Sequence, residues 1–470
     1  MRIEKFMPAV VMANIFLLSA GLAGVSFGYA LEISALLLFF MLLINAKGNL
    51  FYLLVTLKKR QPIIFALLFY SVIDFVNYFA AGNTALAWQK YRVTAVLMMV
   101  FVSLIILRNC SGLSAGVQRA VANSAVLVVI CTLARYFLQM NLPLFYLTRF
   151  TLRSDYNMYA TLLLTGLICL VFGVFSLQSE KYTVVLLLTI PTIIAVTILS
   201  GSRRVLILLP VVLPILLSAF IIYIRLHFGM KKATQAIAFV LFLTVMAYTQ
   251  TLFLSQQLSN LDQTQRQTRS VIQAPGGETQ LVERYETIRS SSLLTKRKVI
   301  WGVAWHAITK FSYKELIFGR GGGENILLYD EIQSPIDEIY PDRAARMGAL
   351  SAHNMLLADL IDGGIIKLGA LLALVAAVVY CCAVLAVKKP YVGLPIGLIL
   401  AICLLNSLIS NRFGLLYDRF FIVFSALAAN EYIDLKPKTH MIFKIGGMRY
   451  QPSYRNGNNR SPARRCADIP

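Results

Sequence analysis

Of 470 residues, 58% are hydrophobic and 14% are charged, and the mean hydropathy is +0.70. A soluble domain carries nearer a quarter charged residues, so the composition excludes a soluble globular protein and points to an all-α polytopic membrane protein. The formal charge of +22 lies largely in short connections and in the tail after Ile433, the pattern of cytoplasmic flanks of membrane spans, and this argues against nucleic acid as a partner.

A helix needs about 20 apolar residues to cross the hydrocarbon core. Taken in order, the apolar runs predict twelve spans: 7–29, 31–57, 62–80, 85–107, 120–139, 156–177, 181–199, 203–224, 233–253, 364–387, 391–410 and 413–433. The first begins after Met1-Arg2-Ile3-Glu4-Lys5. It is long and more spans follow at once, so it reads as an uncleaved span rather than a signal peptide. The second is interrupted by Lys47, Gly48 and Asn49.

With the N-terminus inside, the inner connections carry Lys58-Lys59-Arg60, Arg108 with Arg119, Lys181, Arg225 with Lys231 and Lys232, and Lys388-Lys389. That alternation satisfies the positive-inside rule along the chain. In a bacterial inner membrane the outside is the periplasm. The expected organisation is then spans over 1–253, a periplasmic loop over 254–352, spans over 353–433, and a basic cytoplasmic tail over 434–470 that is expected to be disordered.

Before Ser351 the loop has 12 Lys/Arg and 11 Asp/Glu, so it is nearly neutral. Residues 255–278 are rich in Gln, Ser and Thr, and mobility is expected there. Between 281 and 311, Leu293, Leu294, Ile300, Trp301, Ala304 and Trp305 recur at near-helical spacing and predict amphipathic helices on the membrane surface. Gly319-Arg320-Gly321-Gly322-Gly323 is a turn. It lacks the Gly-Lys-Ser/Thr ending of a nucleotide cradle, and a flexible turn beneath a bound lipid or sugar fits it better. The seven cysteines, none in the loop, form neither a disulfide framework nor metal-ligand spacing, so no metal is expected.

Of the four histidines, only His306 and His353 fall outside on this topology. His353 has Asn354 beside it and Gly363-Gly364 one short helix later, at the membrane surface where a lipid-borne reactant is met. It is either a general base or a histidine packed at a helix start. Arg203 and Arg204, in Ser200-Gly201-Ser202-Arg203-Arg204, sit at an outer turn where the positive-inside rule disfavours them. They either snorkel to lipid phosphates or clamp a phosphate-bearing substrate. Arg149 and Arg153 precede a span, Arg135 lies near the outer end of another, and Arg412 and Arg419 flank the last outer turn. If these ends converge, the site attracts anions. Asp74 and Asn77 lie within the third span, as a polar bundle contact or a transport residue; charge within the spans is otherwise nearly absent.

Four pieces in this order resemble the superfamily of O-antigen ligases and polymerases. They are Asp155-Tyr156-Asn157 opening a span, Ser200-Gly201-Ser202-Arg203 at a span end, Arg297-Lys298-Val299-Ile300-Trp301 followed by the 319–323 turn, and His353-Asn354 separated by nine residues from Gly364-Ile365-Ile366. Where that family usually carries a further glycine, this chain has Lys367. The resemblance is clearest over 157–369.

It implies a fold like that of C-type membrane glycosyltransferases, metal-independent and without cofactor. The activity implied is inverting transfer of a glycan from undecaprenyl pyrophosphate. Arg203, or Arg204 in its place, and Arg297 would hold the pyrophosphate, and His353 would be the base. Arg149, Arg153, Asn157, Trp301 and Asn354 would support them. The acceptor would be another lipid-linked repeat unit for a polymerase, the slightly favoured expectation, or the lipopolysaccharide core for a ligase. Membrane lipids and a chain-length regulator are the further partners expected. A secondary transporter is the more distant competitor, and it predicts functional charges at the bilayer midplane.

Overall fold

The computed structural model describes residues 61–82, 84–107, 112–137, 156–176, 180–228, 230–269, 292–331, 351–410 and 414–433, with isolated positions at both ends. The predicted spans 7–29 and 31–57 therefore lie almost entirely outside the described residues, as do 270–291 and 332–350 of the loop.

The described chain is helical. Its elements are α1 (Pro62–Ala80), α2 (Thr84–Ile106), α3 (Leu113–Phe137), α4 (Tyr156–Ser176), α5 (Glu180–Leu199), α6 (Arg203–Phe228) and α7 (Met230–Arg269). The loop region gives α8 (Ser292–Thr309), α9 (Tyr313–Phe318) and α10 (Glu324–Glu331), followed by α11 (Met355–Lys388), α12 (Pro390–Ser410), a 3-10 turn (Leu415–Tyr417) and α13 (Arg419–Ile433). Among the described residues, six helical segments are long and apolar enough to cross a membrane: Pro62–Ala80, Ala85–Ile106, Leu113–Arg135, Ile237–Gln256, Met355–Lys388 and Pro390–Ile409. Shorter apolar stretches run over Asn157–Phe172, Thr189–Leu199 and Arg204–Ala219. The chain has the character of a helical membrane protein.

α1 shows why. Pro62 starts it, at the one helical position where a missing N–H costs nothing. Phe65, Phe69, Val72, Phe75, Val76 and Phe79 are all exposed, whereas Tyr70, Asp74 and Tyr78 are buried. Apolar outside and polar inside is the arrangement that lipid, not water, stabilises.

The chain divides into two compact units, Met1–Ile433 and Asp434–Pro470. In the first, α11 packs against both α1 and α12, α13 lies on α2, and α3 lies on α4. Small residues permit the last contact: a Cβ added at Gly166 would stand 2.2 Å from Ala125 Cβ. Polar bonds pin other pairs, with Asn406 Nδ2 donating to Thr161 Oγ1 at 3.0 Å between α12 and α4, and Asn430 Nδ2 donating to the Leu104 carbonyl at 2.9 Å between α13 and α2. In the second unit, Lys444–Ile445 pairs antiparallel with Met448–Arg449.

Two expectations change. The apolar span expected to end at 253 continues as α7 to Arg269, so the Gln-rich stretch after 254 is helical that far. A helix already nucleated in the apolar segment extends at little cost through Gln, Leu and Arg, all good helix formers. The last apolar run, expected from 413, becomes a 3-10 turn and then a helix from Arg419, since Gly414 adopts φ 80.

Candidate functional site

The buried face of α1 meets α2 and α11 in a closed cluster of charges. Lys367 Nζ lies 2.8 Å from Asp74 Oδ1, 3.2 Å from Asp359 Oδ1 and 3.6 Å from Asp362 Oδ2. Lys90 Nζ reaches Asp74 at 2.7 Å. Tyr91 Oη donates to Asp74 at 2.9 Å, and Tyr70 Oη donates to Asp359 Oδ2 at 2.6 Å. Asn325, in the first turn of α10, gives Asp362 two bonds of 2.8 Å, one from its backbone N–H and one from Nδ2. Both ammonium groups also stand over the ring of Tyr78, at 4.3 and 5.5 Å from its centre.

All five charged side chains are at most 3% exposed. Burying an ion costs several kcal/mol unless partners surround it, and here each charge faces an opposite one. Asp74 thus makes the polar bundle contact, one of its two expected readings, and the described spans hold more charge than expected. The sequence held a signal for its first partner: Asp74 and Lys90 stand equally far from the short connection between α1 and α2, hence at one depth. Lys367 and the two aspartates of α11 had no such signal.

Above this cluster sits the glycine turn. Three successive backbone N–H groups in it are already taken: Arg320 donates to the Ile361 carbonyl, Gly321 to Asp362 and Gly322 to Asn77, at 2.9 to 3.1 Å. These bonds clamp the turn to α1 and α11 and occupy the N–H groups that a phosphate cradle would present. Gly319 (φ 74) and Gly364 (φ 63) meet backbone to backbone, for a Cβ at the first would stand 2.3 Å from the Asp362 carbonyl oxygen and at the second 2.3 Å from that of Ile317. Gly364 breaks α11 there, leaving residues 355–363 as a short helical head. Arg320 is held as well, pairing with Glu315 at 3.1 Å and lying over the Phe311 ring.

The short head has two working faces. Asp359 and Asp362 look into the charge cluster, while Ala358 and Ile361 pack with Ile300, Ala304, Ala307 and Ile308 of α8 and Leu328 of α10. Thus α8 lays one stripe on α11, with Trp301 against the same core, and leaves Trp305 60% exposed. The indole N–H of Trp301 is buried and has no acceptor among the described residues.

At the start of the head, Asn354 is the N-cap, its Oδ1 accepting from the N–H groups of Leu356 (2.9 Å) and Leu357 (3.3 Å). His353, immediately before, is half-buried and has φ 47. Among the described residues it is the one non-glycine in the left-handed region, a conformation costing on the order of 1 kcal/mol. Its N–H faces buried Ser351 Oγ at 3.4 Å.

The other motifs form a second group. Asn157, on the first turn of α4, accepts from Ser202 Oγ at 3.0 Å, and Ser202 precedes α6, which starts at Arg203. The backbones of Arg203 and Arg297 lie on α6 and α8, but their side chains are outside the described residues, as are Arg149 and Arg153 entirely. Arg204 is half-buried and Arg135 is 7% exposed. The structure therefore joins His353-Asn354, the Trp301 helix and the glycine turn in one assembly, and joins Asn157 to the Ser200–Ser202 turn in another; α12 contacts both α11 and α4. Among the described residues no group of three His, Cys, Asp or Glu side chains is arranged to hold a metal ion.

No family model matches the chain, and no curated protein is significantly similar to it.

Proposed function

We propose that the protein is an O-antigen or exopolysaccharide polymerase, a multi-pass enzyme of the bacterial inner membrane that moves a glycan from undecaprenyl pyrophosphate to the acceptor sugar of another lipid-linked repeat unit. In this reading the chain crosses the membrane about twelve times, and the head of α11 faces the periplasm. The observation that carries the reading is His353. A half-buried histidine in a strained backbone conformation, directly before the Asn354 cap of a helical head that packs on α8 and α10, is held in the way general bases are.

The chemistry follows from the side chains. His353 takes the proton of the acceptor hydroxyl as that oxygen attacks the anomeric carbon. The bond to the pyrophosphate breaks on the opposite face, giving inversion. The leaving group gains negative charge, which the guanidinium groups of Arg203 or Arg204 and of Arg297 stabilise at low dielectric. The N–H of Trp301, without an acceptor among the described residues, is a donor for a substrate oxygen, which would recover about 1–3 kcal/mol of desolvation.

The test is a surface-glycan gel from a null strain complemented with wild type, His353→Ala, Arg203→Ala or Arg297→Ala. Wild type restoring a ladder in cells that keep single-unit attachment identifies a polymerase. Restoration of all attached glycan identifies a ligase, which transfers to the lipopolysaccharide core with the same donor-side groups. If all three variants express normally and match wild type, glycan transfer at this site is wrong.

The charge cluster inside α1, α2 and α11 is the observation that favours a secondary transporter. Against it, the described carboxylates already face ammonium, phenol or amide donors. Substrate uptake by vesicles carrying the all-triple variant His353→Ala, Arg203→Ala, Arg297→Ala separates the two, because a transporter would retain it.

A further inference from the structure

We infer that Tyr70 and Lys367 are positioning residues for His353, acting through the acidic face of the short head of α11; this rests on the proposed role of His353 as the base. Residues 355–363 are separated from the rest of α11 by the non-helical Gly364. Their orientation is therefore not set by the long helix that follows. It is set by what the head touches.

The glycine turn and Asn325 hold its C-terminal end, through the Ile361 and Asp362 carbonyls and the Asp362 carboxylate, and two further attachments act along the head. On the apolar side, Ala358 and Ile361 sit in the core formed with α8 and α10. On the polar side, Asp359 receives Tyr70 Oη at 2.6 Å and Lys367 Nζ at 3.2 Å. Apolar packing is non-directional and tolerates rolling of a helix about its axis. The Tyr70–Asp359 bond does not, because both groups are buried and each is a directional partner of the other. Asp359 lies little more than one turn from Asn354, whose side chain caps the same head, and His353 is fixed to that cap through one peptide bond. A roll of the head therefore moves the imidazole, at a radius where a displacement of about 1 Å costs up to a hundredfold in rate.

Lys367 adds a second constraint. Its ammonium binds both the head, at Asp359 and Asp362, and α1, at Asp74. It thus fastens the head across the Gly364 break to the helix from which Tyr70 projects. The residue standing where the resembling family has glycine is, in this chain, the bolt of that attachment.

The experiment uses purified full-length protein in detergent, treated with diethyl pyrocarbonate, with carbethoxylation of His353 and of exposed His306 followed by peptide mass spectrometry. Tyr70→Phe removes one hydrogen bond and keeps the ring. With elution volume and melting midpoint at wild-type values, its His353 rate should change by more than about twofold while His306 stays constant, and kcat for glycan transfer should fall about tenfold with KM little moved. Added to His353→Ala, it should lower kcat no further. A His353 rate within about twofold of wild type in folded Tyr70→Phe overturns the inference. If Tyr70→Phe does not fold, Lys367→Arg is read by the same two rates. Labelling decides positioning independently of activity: altered labelling with full transfer by His353→Ala keeps the positioning and sinks the proposed function, and unaltered labelling with transfer lost in His353→Ala does the reverse.

Discussion

Lys367 Nζ lies 2.8 Å from Asp74 Oδ1, an ion pair between two side chains that are both at most 1% exposed and that stand far apart in the sequence. The pair closes α1 against α11, and Lys90 and Tyr91 add their own bonds to the same carboxylate. Such a cluster is a weak source of net stability, because desolvation offsets most of the Coulomb gain, but it is costly to break from one side.

Lys367→Met should therefore destabilise the protein by about 3–5 kcal/mol, since among the described residues Asp359 and Asp362 would keep the neutral donors Tyr70 and Asn325 as direct partners of their buried charge. Adding Asp359→Asn should restore part of that loss by removing one unpaired charge. Melting midpoints in detergent, read by fluorescence-detected size exclusion, measure both. A single variant as stable as wild type would mean that the cluster is hydrated or otherwise neutralised.

The glycine turn offers a matched pair of substitutions. A Cβ at Gly322 would stand 2.3 Å from Tyr78 Cγ and 2.5 Å from Tyr78 Cα, and backbone cannot step aside as a flexible side chain does. Gly322→Ala should undock the turn and expose the loop to protease. A Cβ at Gly302, within α8, meets nothing within 4 Å among the described residues, and Gly302→Ala should stabilise by about 0.5–1 kcal/mol through helix propensity. Limited proteolysis beside thermal melting reads the contrast; equal cleavage of both variants would count against the clamp.

Helix existence was legible because apolar runs and their basic flanks report directly on span position. α1 spans 62–80, as its pattern predicts, and α4 and α12 differ from expectation by a residue. The stripe of Ile300 and Ala304 was legible for the same reason, as periodicity. The charge cluster was not. Pattern reading treats a lysine beside Gly364-Ile365-Ile366 as an interruption, whereas three-dimensional pairing makes it the centre of a network. The clamp was hidden likewise: glycines announce a turn, but which carbonyls its N–H groups reach is a tertiary fact. The reversed polarity of α1 was half visible, since Tyr70, Asp74, Asn77 and Tyr78 recur at helical spacing and mark one face.

Ser202 and Asn157 provide a test of coupling between two separated motifs. Their 3.0 Å bond ties the start of α4 to the residue just before Arg203. Ser202→Ala and Asn157→Ala should each cost about 1 kcal/mol, and the double variant should cost less than their sum by at least about 0.5 kcal/mol. Under the proposed function both single variants also lower glycan transfer, because the bond fixes the turn that carries the arginines. Strict additivity in the melting cycle would show that the two side chains act independently.

The last prediction concerns pH at the short helix α9, which lies outside the apolar spans. Glu315 accepts from the Ser312 N–H at 2.7 Å, Ser312 Oγ accepts from the Glu315 N–H at 3.3 Å, and Arg320 pairs with the same carboxylate. The backbone bond from Ser312, then its hydroxyl and the Arg320 charge, hold the Glu315 carboxyl below its ordinary value. A depressed folded value means that the ionised form is favoured by folding. Its contribution is fully present above the unfolded value of about 4.3 and is lost as pH falls through the lower folded value. Amide exchange over residues 312–320, corrected for intrinsic rates, should lose protection as the medium is taken below about pH 4. Glu315→Gln keeps the reciprocal capping geometry without the charge, so its protection should start lower and stay flat over the same range. Equal pH dependence in the two proteins would remove Glu315 as the titrating group and leave the capping box as a neutral hydrogen-bond device.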